Sequence, residues 1–177
     1  SKSSSIHTYL FSLPEFEAAP TIALFVSFKS EVLTGSMIED ALALGKVVAV
    51  PVTDLAIRRL TFSRIIEYPG DLSPGTWGIL EPKPDRLRPI ALEAIACMVV
   101  PGAVFDCRGY RIGYGGGFYD RVIQDSQRRG LFVAVAFELQ LIDEVPYDER
   151  YDEPVDVLIT EARVIRCRRQ EHRLSGS

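Results

Sequence analysis

The chain has 177 residues, of which 47% are hydrophobic and 25% charged, and its formal net charge at neutral pH is -4. This composition is typical of an ordinary globular protein, and the length suits one domain with a sizeable core. A nucleic-acid-binding protein normally carries a basic excess, so the charge argues against a nucleic-acid partner. No apolar run approaches the roughly 20 residues of a membrane helix, so no membrane span is expected.

The cysteines and histidines exclude several kinds of site. Cys97, Cys107 and Cys167 are odd in number and widely spaced, which predicts neither a disulfide framework nor a zinc knuckle and favours a cytoplasmic location. His7 and His172 lie near opposite ends of the chain, so a histidine-based triad or a two-histidine metal site has little support.

The N-terminal part of the chain predicts two helices and a strand between them. Apolar residues recur at helical spacing ahead of Pro14, which is expected to end the first helix. The segment TIALFVS predicts a short strand. A second helix is expected to begin at Ser36, which stands three residues before Glu39 as in a capping box, and to end at Gly45.

The remaining elements predict an α/β domain. Apolar, β-branched runs bounded by turn residues indicate four buried strands, KVVAVP, CMVVP, LFVAVAF and VDVLIT. The segment 57–89 looks irregular, with LTFSRIIEY as an edge hairpin or strand and a proline-rich loop after it. Strands alternating with helices predict a largely parallel sheet with helices on both faces, within a single domain over residues 1–177. The arginine-rich segment 163–177 is interpreted as a solvated C-terminal tail.

A glycine-rich loop follows the strand CMVVP, at the end of a parallel strand where ligands gather in such sheets. The run GYGGG can adopt positive φ, and its N–H groups can converge on an anion at the N-terminus of a helix predicted from FYDRVIQDS. Arg111 adds a positive charge and a fork of donors. A P-loop is excluded because no Lys follows Gly117, and GxGxxG fails at Phe118. By itself, the cluster is equally consistent with a phosphate-binding loop or a tight turn.

Aspartates near this loop suggest a metal site. Asp120 falls in the first turn of the predicted helix, where a carboxylate favours the helix dipole and also suits Mg²⁺ beside bound phosphates. Asp152 and Asp156 are either a second source of oxygen ligands or ordinary polar loop residues. Because a histidine-based site has little support, the remaining chemistry is one that relies on positioning and electrostatics, as phosphoryl transfer does.

The segment VVPGAVFDCRGYRIGYGGGFYDR resembles the 5-formyltetrahydrofolate cyclo-ligase family, also called methenyltetrahydrofolate synthetases. Four shorter pieces, SFKSEV, WGILEP, AFELQ and VDVLITE, support the resemblance in family order, over about residues 3–161. The resemblance implies a three-layer α/β sandwich around a mostly parallel sheet, of the NagB/RpiA/CoA-transferase-like type. It also implies ATP- and Mg²⁺-dependent conversion of 5-formyltetrahydrofolate to 5,10-methenyltetrahydrofolate through phosphorylation of the formyl oxygen, with release of ADP and phosphate.

The resemblance assigns roles to individual residues. Arg111, Tyr119 and Asp120 are implied to be catalytic. The implied ATP-binding residues are Arg111, Ile112, Gly113, Tyr114, Gly115, Gly116, Gly117, Phe118 and Tyr119. The implied Mg²⁺ ligands are Asp120 and Asp152. The implied folate-binding residues are Val26, Glu31, Leu60, Trp77 and Tyr119, with Leu60 standing where many members have Met.

Some expectations depart from the family pattern or leave alternatives open. The family normally begins with a basic helix that reaches the nucleotide, and only Lys2 precedes the first helix here, so that helix is expected to be missing. The protein is expected to be a monomer acting on a folate that can carry a polyglutamate tail. Two other functions stay open: a catalytically silent relative that binds nucleotide or folate, and a different phosphate-handling enzyme such as a sugar-phosphate isomerase or CoA-transferase relative.

Overall fold

A computed structural model describes residues 1–167 of the chain. Its helices are α1 (Lys2–Ser12), α2 (Pro14–Ala18), α3 (Gly35–Ala43) and α4 (Phe118–Asp125), with short 3-10 turns at Thr76–Gly78, Pro84–Arg86, Leu92–Ala94 and Glu138–Gln140. Its strands are β1 (Thr21–Leu24), β2 (Val47–Asp54), β3 (Arg59–Ile65), β4 (Leu72–Pro74), β5 (Leu80–Pro82), β6 (Pro89–Ile90), β7 (Cys97–Val100), β8 (Val104–Phe105), β9 (Arg111–Ile112), β10 (Leu131–Val135), β11 (Val157–Ile159) and β12 (Val164–Arg166). Within this part of the chain, no helix has the length and apolar character needed to cross a membrane.

The central sheet has eight strands in the order β12-β11-β10-β7-β1-β2-β3-β6. The five inner strands from β11 to β2 are parallel, whereas β12, β3 and β6 pair antiparallel at the edges. The hairpins β4–β5 and β8–β9 lie outside this sheet. The predicted α/β fold with a mostly parallel sheet is therefore confirmed.

Side chains of the inner strands alternate between two apolar layers. Ile22 and Leu24 of β1 pack in the layer that contains α1, α2 and α3, whereas Ala23 packs in the layer that contains α4. Each fully buried aliphatic side chain of this kind contributes about 1.5–3 kcal/mol. Helices therefore cover both faces of the sheet, as the alternation of strands and helices predicts.

One predicted helix boundary agrees with the structure and another does not. Pro14 follows the end of α1 as expected, and it opens α2 because a proline is tolerated at the first helical position. The predicted capping box at Ser36 is wrong: α3 begins at Gly35, after Thr34. The Thr34 hydroxyl donates to the Phe25 carbonyl at 2.8 Å and accepts from the Ser27 amide at 2.9 Å, so it braces the loop after β1 instead of capping α3.

Two segments are more ordered than the sequence suggests. The predicted tail is wrong at its start, because residues 164–166 form β12 and pair antiparallel with β11. Arg166 also forms an ion pair with Glu15 on α2, a contact across the fold that local sequence does not reveal. Residues 168–177 lie outside the described part of the chain. LTFSRIIEY contains β3, as expected, but the proline-rich segment after it contains β4, β5 and β6.

Asp71 organises this proline-rich segment from a fully buried position. Its carboxylate accepts from the backbone amides of Ile66 at 2.8 Å and Glu67 at 3.1 Å. Arg86 and Arg88 each donate to it at 2.9 Å. Burial acts to raise the pKa of Asp71, but the two amides and the two guanidinium groups outweigh burial and hold that pKa far below its ordinary value.

We expect Asp71→Asn to lower the free energy of unfolding by about 2–3 kcal/mol at neutral pH, because it removes a buried, charge-assisted hydrogen-bonding centre. Since folding lowers the pKa of Asp71, its stabilisation is complete above the unfolded-state pKa of about 4 and is lost as the pH falls through the folded-state pKa. The difference between the two proteins should therefore narrow only below about pH 4. Urea denaturation across this pH range measures it.

The matched control is Asp85→Asn, because Asp85 is an exposed acid in the same segment. We expect this control to change the free energy of unfolding by less than about 0.5 kcal/mol. Equal effects of the two substitutions would contradict the role given to Asp71.

Candidate functional site

A cleft of about 1010 Å³ lies at the carboxyl ends of β1, β2 and β7. Parallel strands place their carboxyl ends at one edge of the sheet, which explains why segments distant in sequence meet there. The cleft is lined by every residue to which the sequence assigned a site role: Val26, Glu31, Leu60, Trp77, Arg111, Ile112, Gly113, Tyr114, Gly115, Gly116, Gly117, Phe118, Tyr119, Asp120 and Asp152. Their individual roles stay predictions.

The glycine loop reaches α4 through three consecutive left-handed residues. Gly115, Gly116 and Gly117 have φ of 108°, 80° and 62°, values that side-chain-bearing residues rarely adopt. A Cβ at Gly116 would also lie 2.7 Å from the Phe118 ring. Gly117 is the N-cap of α4 and provides no side-chain cap. The first amides of α4 therefore have no capping side chain, and this end of the helix suits an anion.

Arg111, on β9, is the buried positive charge beneath this loop. Its side chain is 4% exposed, and its Nη2 lies 3.5 Å from Oδ1 of Asp120. Its Cζ lies 5.6 Å from the centre of the Tyr119 ring. Burial lowers the pKa of Arg111, while Asp120, Tyr119 and Asp152 act to raise it. Within residues 1–167, Nε and Nη2 have no hydrogen-bond acceptor, an arrangement that suits an anionic ligand rich in acceptor oxygens.

Asp120 and Asp152 form the acidic side of the cleft. Asp120 accepts a hydrogen bond from the Glu153 amide at 3.2 Å, and Asp152 accepts one from the Asp148 amide at 2.9 Å. Burial raises the pKa of Asp120; the Arg111 guanidinium opposes this, and the charges of Asp152 and Glu153 add to it. Among the described residues, no group of three or more His, Cys, Asp or Glu side chains is arranged to hold a metal.

Asp156, considered together with Asp152 from the sequence, has a different position. Its carboxylate accepts from the Phe132 amide at 2.9 Å and from Arg128 at 3.1 Å, and it does not line the cleft. Asp156 thus joins β10 to the segment before β11 and is not placed to act as a ligand.

Glu31, in the loop after β1, lines the cleft together with Tyr114 of the glycine loop and Tyr119 of α4. Its Oε1 accepts from the Phe28 amide at 2.7 Å. Burial raises the pKa of Glu31, with that hydrogen bond opposing the change. Burial also raises the pKa of Tyr114 and of Tyr119, and the charge of Glu31 contributes to both. A partly buried carboxylate is therefore available within the cleft to a ligand with N–H donors.

Trp77 lies at the mouth of the cleft with 62% of its surface exposed. Its φ of 57° is uncommon for a residue with a side chain. Its ring lies 6.1 Å from that of Phe118, edge to face at 69°. Glu81 braces this turn by accepting from the amides of Thr53 at 2.7 Å and Thr76 at 3.2 Å. The remaining predicted folate-side residues are less exposed, with Leu60 on β3 and Val26 just after β1.

Sequence reasoning missed several residues of the cleft, including Lys29, Arg58 and Glu81. Lys29 and Arg58 have φ of 54° each and lie in loops after β1 and β2. Lys29 and Glu81 fall within SFKSEV and WGILEP, two of the pieces that carry the family resemblance, and this was the available signal. No motif distinguished Arg58 from other surface cations. Arg121, adjacent to Asp120, was also missed. It donates hydrogen bonds to the carbonyl oxygens of Arg58 and Gly116, which line the cleft.

Comparisons with known proteins identify the family of the chain. The family model for the 5-formyltetrahydrofolate cyclo-ligase family matches residues 1–161. The 5-formyltetrahydrofolate cyclo-ligase of Escherichia coli K12 is 32% identical over 159 residues, covering 89% of this chain and 86% of the relative. The Mus musculus protein of the same name is 30% identical over 158 residues, covering 83% of this chain and 76% of its own length.

Solved structures resemble the fold as well. The 5,10-methenyltetrahydrofolate synthetase of Aquifex aeolicus superposes with a TM-score of 0.79 at 34% identity, covering 95% of this chain and 82% of that one. The synthetase of Mycoplasma pneumoniae shares the fold, with a TM-score of 0.70 at 20% identity over 90% of this chain and 85% of its own. Because the family model matches residues 1–161 and the relatives align over most of the chain, the chain belongs to the 5-formyltetrahydrofolate cyclo-ligase family.

Proposed function

We propose that the protein converts 5-formyltetrahydrofolate to 5,10-methenyltetrahydrofolate at the expense of ATP, releasing ADP and phosphate. The observation that carries the proposal is the buried Arg111, whose Nε and Nη2 have no acceptor within residues 1–167, beneath a left-handed glycine loop in a cleft shared with Glu31 and Trp77. Arg111 and the glycine loop suit a phosphate chain, whereas Glu31 and Trp77 suit a flat ring with N–H groups.

The phosphate half of the cleft, formed by Arg111, the glycine loop and the start of α4, is suited to negative charge. In this reaction the formyl oxygen attacks the terminal phosphate of ATP, and N10 then closes on the activated carbon as phosphate leaves. Arg111 and the amides at the start of α4 would stabilise the charge on the transferred group, and a glycine loop without Cβ atoms lets the backbone approach it closely. Tyr119, whose ring packs against Arg111, lies between the two halves of the cleft and would orient the formyl group.

The acidic residues fit a magnesium ion only in the presence of the nucleotide. Asp120 and Asp152 are close enough for the charge of Asp152 to raise the pKa of Asp120, so a divalent cation beside them would relieve that repulsion. Mg²⁺ commonly takes one or two carboxylates together with phosphate oxygens and water. When bound there, the ion would neutralise phosphoryl charge. Asp120 also holds the Arg111 guanidinium in place from 3.5 Å.

The folate half of the cleft would hold the ring and the tail of the substrate. Glu31 would accept hydrogen bonds from ring N–H groups, while Val26, Leu60 and Trp77 would contact the flat face. Lys29 and Arg58 add positive charge to the lining, which suits the carboxylates of a polyglutamate tail. A monomeric, cytoplasmic enzyme is part of the proposal, and a reducing compartment suits the exposed thiol of Cys107.

The activity itself is tested with the full-length protein, ATP, Mg²⁺ and 5-formyltetrahydrofolate, by following the absorbance of the methenyl product. We expect a rise that requires ATP. No rise above a reaction without protein would overturn the proposed activity. Calorimetric binding of nucleotide or folate in that case would indicate a catalytically silent relative.

We expect Arg111→Ala to lower kcat on the order of 10²-fold, because it removes a buried donor aimed at the transferred phosphate.

Asp120→Asn should raise the Mg²⁺ concentration needed for half-maximal rate and leave the folate Kd nearly unchanged. Steady-state kinetics with Mg²⁺ titration, together with calorimetry, measure both effects. Asp125→Asn is the matched control, because Asp125 lies at the other end of α4, outside the cleft. Small, equal losses in all three variants would mean that the phosphate binds elsewhere.

We expect Glu31→Gln to weaken folate binding by about tenfold or more, the usual effect of losing a charged hydrogen-bond acceptor, and to leave ATP binding unchanged. Because burial raises the pKa of Glu31, the wild type should lose folate affinity on acidification, starting above the ordinary carboxylate pKa of about 4.3. Wild type and variant should therefore converge at low pH. Calorimetry across the pH range checks this, with Glu39→Gln on α3 as the exposed control. A constant difference at every pH would contradict the role of the charge.

A further inference from the structure

Arg121 connects two loops that lie far apart in the sequence. Its Nη1 donates to the carbonyl oxygen of Arg58 at 2.6 Å, and its Nη2 donates to the carbonyl oxygen of Gly116. Arg58 lies in the turn between β2 and β3, and Gly116 lies in the glycine loop. Both residues line the cleft, and the proposed function assigns Arg58 to the folate side and Gly116 to the phosphate side. One guanidinium therefore spans the two halves of the site.

The position of Arg121 is unfavourable for a cation unless specific contacts hold it. It lies in the first turns of α4, where the helix dipole disfavours positive charge. Its partner Arg58 has φ of 54°, a conformation that is uncommon for a residue with a side chain. The bond from Arg121 to the Arg58 carbonyl holds this turn against α4, and the planar fork of an arginine can reach two carbonyls at once.

A chain of ring contacts extends from Arg121 to the mouth of the cleft. The Cζ of Arg121 lies 5.6 Å from the centre of the Phe118 ring. That ring meets Trp77 edge to face, with 6.1 Å between centres. Trp77 has a φ of 57° and is mostly exposed. A displacement of the glycine loop would therefore change the surroundings of Trp77.

We infer that Arg121 is a positioning residue that couples the glycine loop to the folate-side wall formed by the Arg58 turn and Trp77. The inference rests on the proposed function, because it assigns nucleotide to the loop and folate to the wall. Nucleotide bound to the loop fixes the position of the Gly116 carbonyl. Arg121 transmits a shift of that carbonyl to the Arg58 turn through its second hydrogen bond. Through the Phe118 ring, the same shift reaches Trp77. The two substrates thereby meet in one arrangement of the cleft.

Trp77 provides a direct signal for the experiment because the chain contains a single tryptophan. Intrinsic fluorescence is recorded during titration with a non-hydrolysable ATP analogue and Mg²⁺, and binding is measured separately by calorimetry. In the wild type we expect a saturable change in Trp77 fluorescence. In Arg121→Gln we expect nucleotide to bind about tenfold more weakly and to lose most of the fluorescence change even at saturation. The KM for the folate should rise as well.

The matched control is Arg59→Gln. Arg59 neighbours Arg58 and pairs with Asp125, so it also joins the β2–β3 hairpin to α4, but it does not line the cleft. We expect this variant to keep the full fluorescence change. A general loss of hairpin–helix contacts would affect both variants alike, whereas the inferred coupling affects only Arg121→Gln.

A second variant keeps the test decisive if Arg121→Gln fails to fold. Arg121→Lys keeps the positive charge but lacks the planar fork that reaches both carbonyls at once, so it should show a diminished Trp77 response at saturating nucleotide. A full response at saturation in the folded variants would overturn the inference, as would a wild type that binds nucleotide without any response. A wild type that fails to bind nucleotide by calorimetry would overturn the proposed function and the inference with it.

Discussion

The site depends on an electrostatic imbalance around Arg111. The guanidinium is buried, yet Nε and Nη2 have no acceptor among the described residues, and Asp120 offsets the charge from 3.5 Å without a hydrogen bond to Nη2. Desolvating a charge without satisfying its donors is unfavourable, so the surrounding fold must hold Arg111 in place. An anionic ligand would supply the missing acceptors. In the proposed function, that ligand is the phosphate chain of ATP.

The sheet explains how that imbalance is maintained. The strand β7 is fully buried between β1 and β10, and the chain that leaves it must pass over the carboxyl edge of the sheet. There the hairpin β8–β9 places Arg111, and three left-handed glycines turn the chain back into α4. The apolar side of α4, with Val122 and Ile123, anchors this return in the core. Packing energy of the domain thus stabilises a local arrangement that is unfavourable by itself.

The edges of the sheet supply the other half of the cleft. The antiparallel strand β3 turns back on β2, which brings Arg58 and Leu60 into the lining of the cleft. The hairpin β4–β5 carries Trp77 between its strands, and Glu81 ties that hairpin to β2 through the Thr53 amide. The two walls belong to different supersecondary units, so a residue such as Arg121, which bonds to both, has an effect beyond its own helix.

Local patterns were sufficient for the inner sheet and for the residues that the glycine loop contributes to the cleft. Buried parallel strands are apolar on both faces, so they appear as continuous β-branched runs, and the glycine run with Arg111 and Asp120 is contiguous in the sequence. The capping box at Ser36 failed because α3 begins one residue earlier, at Gly35, and the Ser36 hydroxyl pairs with the ring of His7. The tail failed because β12 is defined by its pairing with β11.

The sequence by itself determined the α/β class, the order of the inner strands along the chain and the position of the glycine loop ahead of α4, because each depends on neighbouring residues. Only the tertiary structure decided the arrangement that places Lys29, Arg58 and Glu81 in the cleft and Arg121 against two of the loops that line it. It also showed that Asp156 braces β10 and does not line the cleft. These features depend on which loops the sheet brings together, and residues far apart in the chain carry no local signal of that distance.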